Sequence, residues 1–415
     1  MNFLYQIGIQ LASFLLPVTG LFSAKMKLFV EGRKNVFSVL EEKINKDDQW
    51  IWMHVASLGE YEQGLPVMEQ LKQQHPEYKI VLTFFSPSGF EVRKNNKIAD
   101  VTLYLPLDTR KNARRFLHLV NPVMAFFIKY EFWPNYLNEL GKRKIPTYLV
   151  SGIFRPSQLF FKPYGNFYRN ALKSFSRFFV QNEDSLKLLQ SIGFTNITVN
   201  GDTRFDRVAQ IVERVQPLDF IEKFREGMFT IVIGSSWPED EEIYLPVLNK
   251  SSGIKWIIAP HNIKTGEVTA LRNKISRKTV LFSNRENEDV ADADVFIIDT
   301  IGILTSIYAY ADIAYVGGGF KTGLHNILEP ATFGIPVIIG PEYGKFQEAK
   351  DLVALGSCLV VHNTNELSKV LLQLEDTGYR KELGMRNKHF VLQNKNATQV
   401  VMQYVFTTQK TTSEK

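Results

Sequence analysis

The chain has 415 residues, 45% hydrophobic and 22% charged, without low-complexity tracts; this excludes extensive disorder and suits a two-domain α/β protein better than one core. Its single cysteine, Cys358, excludes an intramolecular disulfide framework and a cysteine-based zinc site, and reads as a buried structural thiol. The net charge of +6 favours anionic partners, but no RNA-binding signature, zinc finger or long basic run is present, so phosphorylated small molecules and anionic lipid rank above nucleic acid.

Residues 1–24, MNFLYQIGIQLASFLLPVTGLFSA, carry no charged side chain, and the first cations are Lys25, Lys27, Arg33 and Lys34. A secretory signal places its positive charge before the apolar run, so this order argues against secretion. The stretch is long enough to span a bilayer, yet Gln6, Gln10, Ser13, Pro17, Thr19 and Gly20 dilute it. A helix lying in the membrane interface fits equally, and a buried first helix is a third reading. Cations following the apolar segment place the rest of the chain on the cytoplasmic side.

From residue 50 onward, apolar runs alternate with amphipathic stretches. WIWMHVA (50–56), KIVLTFF (79–85), VTLYLPL (101–107), VMAFFIKY (123–130), PTYLVSG (146–152), RFFVQN (177–182) and ITVNGD (197–202) read as strands, with helical patterns between most of them. Continuous apolar strands alternating with helices predict a doubly wound parallel sheet, buried on both faces. A second series follows: FTIVIGSS (229–236), KWIIAPH (255–261), TVLFS (279–283), DVFIID (294–299), IAYVGGG (313–319), PVIIG (336–340) and CLVV (358–361). The expected organisation is a membrane-associating segment at 1–34, one Rossmann-like domain at 35–210 and a second at 211–395. The end of a helical tail (about 366–405) and the terminus occupy 396–415.

Chemistry-bearing residues fall at strand ends, where open α/β sheets bind ligands. After the first strand, Ser57 and Gly59 break the apolar run and Glu60 stands before a helix at 61–74. A carboxylate there is favoured by the helix dipole alone, and it also stands where a general base facing a cleft belongs. KYEFWPN (129–135) puts Glu131 after another strand, either as a second functional carboxylate or as a structural ion pair. NGDTRFD (200–206) offers Arg204 as a cation for a leaving phosphate or as the partner of Asp202 or Asp206. In the second series, Ser235 and Ser236 end one strand, Pro260 and His261 another, and Asp299, Thr300 and Gly302 a third. Gly317, Gly318 and Gly319 end a fourth, followed by His325, Asn326 as a helix cap, and Glu329 as an acceptor for ribose hydroxyls. These converge on one edge of one sheet, as a nucleotide site requires.

HVASLGE, YEFWPN, NGDTRFD, GSSWPEDEE, DTIGIL with YAYADIAYVGGG, and HNILEPATFGIPVIIGP run in this order through nearly the whole chain. With them the chain resembles the 3-deoxy-D-manno-octulosonic acid (Kdo) transferases, which add Kdo to a lipid A precursor. The resemblance implies an α/β GT-B architecture: an acceptor-binding N-terminal domain, a CMP-Kdo-binding C-terminal domain, and closure about a hinge near 203–215 with a second crossing at the C-terminal helix. It implies inverting transfer without a metal or cofactor, to a phosphorylated glycolipid at the cytoplasmic face of the inner membrane.

On this resemblance Glu60 is the catalytic base, Glu131 supports the transition state, and Arg204 stands where the family carries Lys. Ser235, Ser236, Pro260, His261, Ile301, Gly302, Ile303, Gly318, Gly319, His325, Asn326 and Glu329 hold the nucleotide. The chain departs from the family at Lys129, where a second acid is usual, and at His261, where Arg is usual. It departs again at Ile303, where Glu is usual, and at Leu324, where Gly is usual. Two other readings are a different GT-B protein, either a UDP-sugar transferase or a UDP-sugar epimerase, and a non-catalytic nucleotide-sugar binder. Nucleotide preference separates the first from a Kdo transferase, and dispensability of Glu60 would mark the second.

Overall fold

The computed structural model describes residues 2–20 and 22–413. The chain divides into two units, residues 1–207 with 395–415, and residues 208–394.

The first unit is built on a seven-stranded parallel sheet. Its strands are β1 (Gln49–Val55), β2 (Tyr78–Phe84), β3 (Val101–Tyr104), β4 (Met124–Ile128), β5 (Thr147–Gly152), β6 (Arg177–Val180) and β7 (Ile197–Val199), in the order β3-β2-β1-β4-β5-β6-β7. The order reverses between β1 and β4, the switch point of a doubly wound sheet. Successive side chains point to opposite faces. Trp50 and Trp52 pack with Phe116, Phe127 and Tyr136 on one face, whereas Ile51, Met53 and Val55 pack with Met68, Phe126 and Ile128 on the other. All five residues of β4 are buried, as expected of a central strand covered on both sides.

The last helix, Ala397–Ser413, belongs to this unit. Val401, Met402 and Val405 complete the face formed by the helix Leu58–Gln74, and Phe406 stacks on His75 at 3.7 Å. Asp206 fastens its start by accepting from the backbone N–H groups of Asn396 and Thr398 and from the Thr398 hydroxyl. The helical tail expected at about 366–405 consists of three helices, Thr364–Gln373, Thr377–Gln393 and Ala397–Ser413. Asp376 caps the second through the N–H of Tyr379, and Asn396 at φ +88° breaks the path before the third.

The helix Asn2–Thr19 buries none of its residues. Phe3, Phe14 and Phe22, in and just after it, are 76%, 80% and 83% exposed, so the apolar side chains face outward. Polar contacts hold the helix to its unit: Tyr5 Oη donates to Asp108 Oδ2 at 2.6 Å, Gln6 Nε2 to Asn135 Oδ1 at 2.7 Å, and Arg110 Nη2 to Asn2 Oδ1 at 3.1 Å. Among the described residues no single helix is long and apolar enough to cross a membrane. Of the cations after the apolar segment, Lys25, Lys27 and Lys34 are exposed. Arg33 is not free: it donates to the carbonyls of Leu105 and Phe85, with its guanidinium 3.6 Å from the Phe29 ring centre. In the segment 152–165, Phe154 and Phe160 are buried against Phe132 while Tyr164 stays exposed.

The second unit carries β8 (Thr230–Ser236), β9 (Lys255–Pro260), β10 (Thr279–Leu281), β11 (Val295–Ile297), β12 (Ile313–Val316), β13 (Val337–Ile339) and β14 (Cys358–Val360), in the order β10-β11-β9-β8-β12-β13-β14. Again all pairs are parallel, and the order reverses between β8 and β12. Cys358 is buried, and burial pushes its thiol far above the usual range.

Candidate active site

In each unit the candidate residues flank the switch point. Beyond β1, Ser57 is the N-cap residue of the helix Leu58–Gln74, and Glu60 is the third residue of that helix, 5% exposed. The Ser57 hydroxyl donates to the Glu60 carboxylate. The spacing matches a capping box, but here hydroxyl meets carboxylate directly. Gly89 permits this turn, because a Cβ there would lie 2.8 Å from the backbone of Ser57 and Leu58.

Beyond β4, Lys129 adopts φ +68° and turns the chain into Glu131, 9% exposed. A polar line ties Glu131 to the sheet. Trp133 Nε1 lies 3.1 Å from Glu131 Oε2 and 3.0 Å from His54 Nε2, which is itself 3.5 Å from Glu131. His54 Nδ1 meets Thr83 Oγ1 at 2.8 Å, and Trp52 Nε1 donates to the same hydroxyl at 2.8 Å. The Tyr130 hydroxyl is raised by burial first, then by Glu60, with Arg155 opposing and Glu131 adding, so these charged groups share one neighbourhood. His54 and Thr83 were missed by the sequence reading. The available signal was a histidine at the end of an otherwise apolar buried strand.

Arg204 is paired with Asp202, with Nε and Nη2 both 2.9 Å from its carboxylate. Asp202 is 4% exposed and also accepts from Gln63 Nε2 at 2.9 Å, one turn after Glu60 on the same helix. Of the two partners held open for Arg204, the structure gives Asp202, while Asp206 caps the C-terminal helix.

In the second unit, Ser235 adopts φ +53° where the register of β8 and β9 shifts, and Ser236 is buried behind it. Asp240, fully buried, is the hub. It accepts from the N–H groups of Trp237 and Gly318, both at 2.9 Å, and from Tyr315 Oη at 3.1 Å. It thereby staples the turn after β8 to the glycine loop after β12. Gly318 has φ +89°, and a Cβ there would sit 2.2 Å from the Gly323 carbonyl oxygen; one at Gly319 would sit 2.7 Å from Gly340 N.

Glu329 accepts from Asn326 Nδ2 at 2.9 Å and from Thr305 Oγ1 at 2.7 Å. Thr305, which the sequence reading did not single out, links Glu329 to the loop of Ile301, Gly302 and Ile303. That loop exposes Ile301 (80%) and turns at Gly302 with φ +99°. Asn326 is not the N-cap residue expected. The helix Leu328–Thr332 has only five residues, Ile327 is its N-cap residue, and Asn326 Oδ1 instead accepts from Leu328 N at 3.1 Å.

Pro260 ends β9, and His261 N donates to Ser236 O at 2.9 Å. The His261 ring stacks on Trp237. Burial lowers the His261 pKa, and burial together with His261 lowers His325 to about 4. Among the described residues no group of three His, Cys, Asp or Glu side chains stands where a metal ion could be held.

Residues 31–207, which contain the whole first sheet with Glu60, Glu131 and Arg204, match the family described as 3-Deoxy-D-manno-octulosonic-acid transferase (kdotransferase). Two curated relatives bear the same name. One from Rickettsia bellii is 28% identical over 368 residues, covering 85% of this chain and 87% of its own. One from Aquifex aeolicus is 29% identical over 346 residues, covering 81% and 89%. Over residues 31–207 the chain thus matches the Kdo transferase family, and relatives of that name align with most of its length.

These relatives indicate a glycosyltransferase, and the fold, two units each built on a seven-stranded parallel sheet, is GT-B. The UDP-GlcNAc 2-epimerase from Neisseria meningitidis, solved bound to UDP-GlcNAc, matches with a TM-score of 0.62 at 15% identity, over 86% of this chain and all of that one. That likeness concerns the fold alone.

Proposed function

We propose that this Kdo transferase moves Kdo from CMP-Kdo to a phosphorylated glycolipid of the lipid A precursor (lipid IVA) type, with inversion and without a metal, in lipopolysaccharide core biosynthesis. An acceptor hydroxyl attacks the anomeric carbon as the bond to the CMP phosphate breaks. The bond pair leaves with the phosphate, and the hydroxyl proton passes to Glu60. The observation that carries this reading is a buried carboxylate on the first helical turn after β1, hydrogen-bonded by Ser57, inside the segment that matches the family. Its place at the end of the first strand suits a general base for an attacking hydroxyl.

Glu131, held by Trp133 near His54, is the second carboxylate and lends the electrostatic support of the acceptor side. Arg204 acts through the Asp202–Gln63 line behind the Glu60 helix. The glycine loop, Ser235, Ser236, Pro260, His261, Ile301, Gly302, Ile303, His325, Asn326 and Glu329 form the CMP side. The outward apolar side chains of the helix Asn2–Thr19, with Lys25 and Lys27 just beyond, support seating on the cytoplasmic face of the inner membrane.

The test is product formation from CMP-Kdo, generated in situ, and a tetraacylated lipid A precursor, read by mass spectrometry with EDTA present. Wild type should transfer Kdo, and Glu60→Gln should lose at least about 100-fold in kcat while keeping its fold and CMP affinity. Equal activity in the variant removes the role of Glu60. No transfer by a folded, CMP-binding wild type overturns the assignment of substrates.

A further inference from the structure

Trp237 closes the turn between β8 and the helix Pro238–Leu248, and its indole touches two imidazoles. His261 stacks on it with ring centroids 4.1 Å apart and planes 20° from parallel. On the edge side, Trp237 Nε1 lies 3.0 Å from His325 Nε2, with the two ring planes only 12° apart. An indole N–H can donate but never accept, so chemistry fixes the direction of this bond. His325 Nε2 must carry a lone pair, and the proton of the neutral ring must sit on Nδ1. The other tautomer would set N–H against N–H. The imidazolium would do the same, and burial with His261 nearby already disfavours it.

The histidine is held at its backbone as well, since its N–H donates to Gly317 O at 3.2 Å. A Cβ on Gly318 would come within 3.2 Å of the His325 ring, so the glycine loop and the ring are fitted to each other. With Nε2 engaged by Trp237, Nδ1–H is a donor that no described residue uses.

We propose that Trp237 is a positioning residue that locks His325 in its Nδ1–H tautomer, so that a neutral imidazole N–H donates to a phosphate oxygen of the donor nucleotide. The inference rests on the reading of this unit as the CMP-Kdo side. It assigns phosphate recognition to an oriented neutral donor, in a chain whose neighbouring position holds His261 rather than a guanidinium. Such a donor fixes geometry while holding the departing CMP less tightly than an arginine fork would.

Long-range 1H–15N correlation spectra of the full-length 15N-labelled protein read the tautomer directly, with His325 assigned by its loss in His325→Asn. The expected wild-type spectrum has an unprotonated Nε2 and a protonated Nδ1. Trp237→Phe keeps a ring for His261 to stack on and removes the N–H. It should shift His325 toward the Nε2–H form, weaken CMP binding about tenfold and raise the KM for CMP-Kdo with kcat within about twofold. An Nε2–H tautomer in wild type overturns the lock without recourse to any variant. An unchanged tautomer in Trp237→Phe overturns it as well. A shifted tautomer with unchanged CMP affinity overturns the phosphate contact. If wild type shows the expected tautomer but binds no CMP by calorimetry, the nucleotide-site reading fails and takes the phosphate contact with it, while the lock stands.

Discussion

The His325 ring has a folded pKa near 4, against an ordinary value of 6.5. As pH falls, the unfolded chain therefore takes up the proton first. The stabilising contribution is complete above pH 6.5 and is lost as pH falls toward 4, and allowing for partial exposure it is on the order of 1–2 kcal/mol. Denaturant unfolding at pH 4.5 and pH 7 should show a wild-type pH difference that shrinks by this amount in His325→Asn; identical differences would mean the ring titrates normally. Thr305→Val removes a hydroxyl donor to Glu329. It should raise the KM for CMP-Kdo by about fivefold to tenfold with kcat little changed, as expected for loss of one hydrogen bond to a charged group. The position of Glu60 just beyond the first strand was legible because Ser57 and Gly59 break the apolar run before it. Trp237, Asp240 and Thr305 were not, because their partners His325, Gly318 and Glu329 lie 88, 78 and 24 positions away, and no local pattern encodes that pairing.

Among the elements, the strands were the most legible feature. Each of the fourteen apolar runs coincides with a strand, since parallel strands covered on both faces leave an uninterrupted apolar signal. Short helices were less so. The five residues of Leu328–Thr332 offer too little periodicity to set a start, and the tail fractures at Asp376 and Asn396, whose effects are confined to one turn. Asp206 gives the last helix an anchor from a residue 192 positions before Thr398. Asp206→Ala should lower stability by about 1–2 kcal/mol, the range of a lost helix cap, measured by denaturant unfolding of the first unit's signal. Gly318→Ala adds strain at φ +89° and drives a methyl into the Gly323 carbonyl. It should abolish measurable CMP binding while circular dichroism stays unchanged.

At the scale of the whole molecule, the chain passes between units at 207/208 and returns at 394/395; the sequence sets boundaries at 210/211 and 395/396, and the family resemblance implies a second crossing at the C-terminal helix. The second crossing comes from the resemblance and not from local pattern, because Val401, Met402 and Val405 form an ordinary amphipathic pattern that does not say which core it completes. The continuous second unit should therefore fold alone: residues 208–394 expressed separately should be soluble and bind CMP by calorimetry. Residues 1–207 alone should aggregate, and adding 395–415 through a linker should restore solubility.

The same return sets a timetable on the ribosome. The polypeptide that completes the first unit is made about 190 residues after the rest of it, which at 5–20 residues per second is a wait of about 10–40 s. The second unit can close in that interval, so the part synthesised first is finished last. During the wait the nascent chain presents the apolar patch that Val401, Met402 and Val405 later cover, alongside the outward phenylalanines of its first helix. Chaperone dependence should accordingly map to the amino-terminal half, and ribosome profiling of chaperone-bound nascent chains should show engagement there that persists until termination.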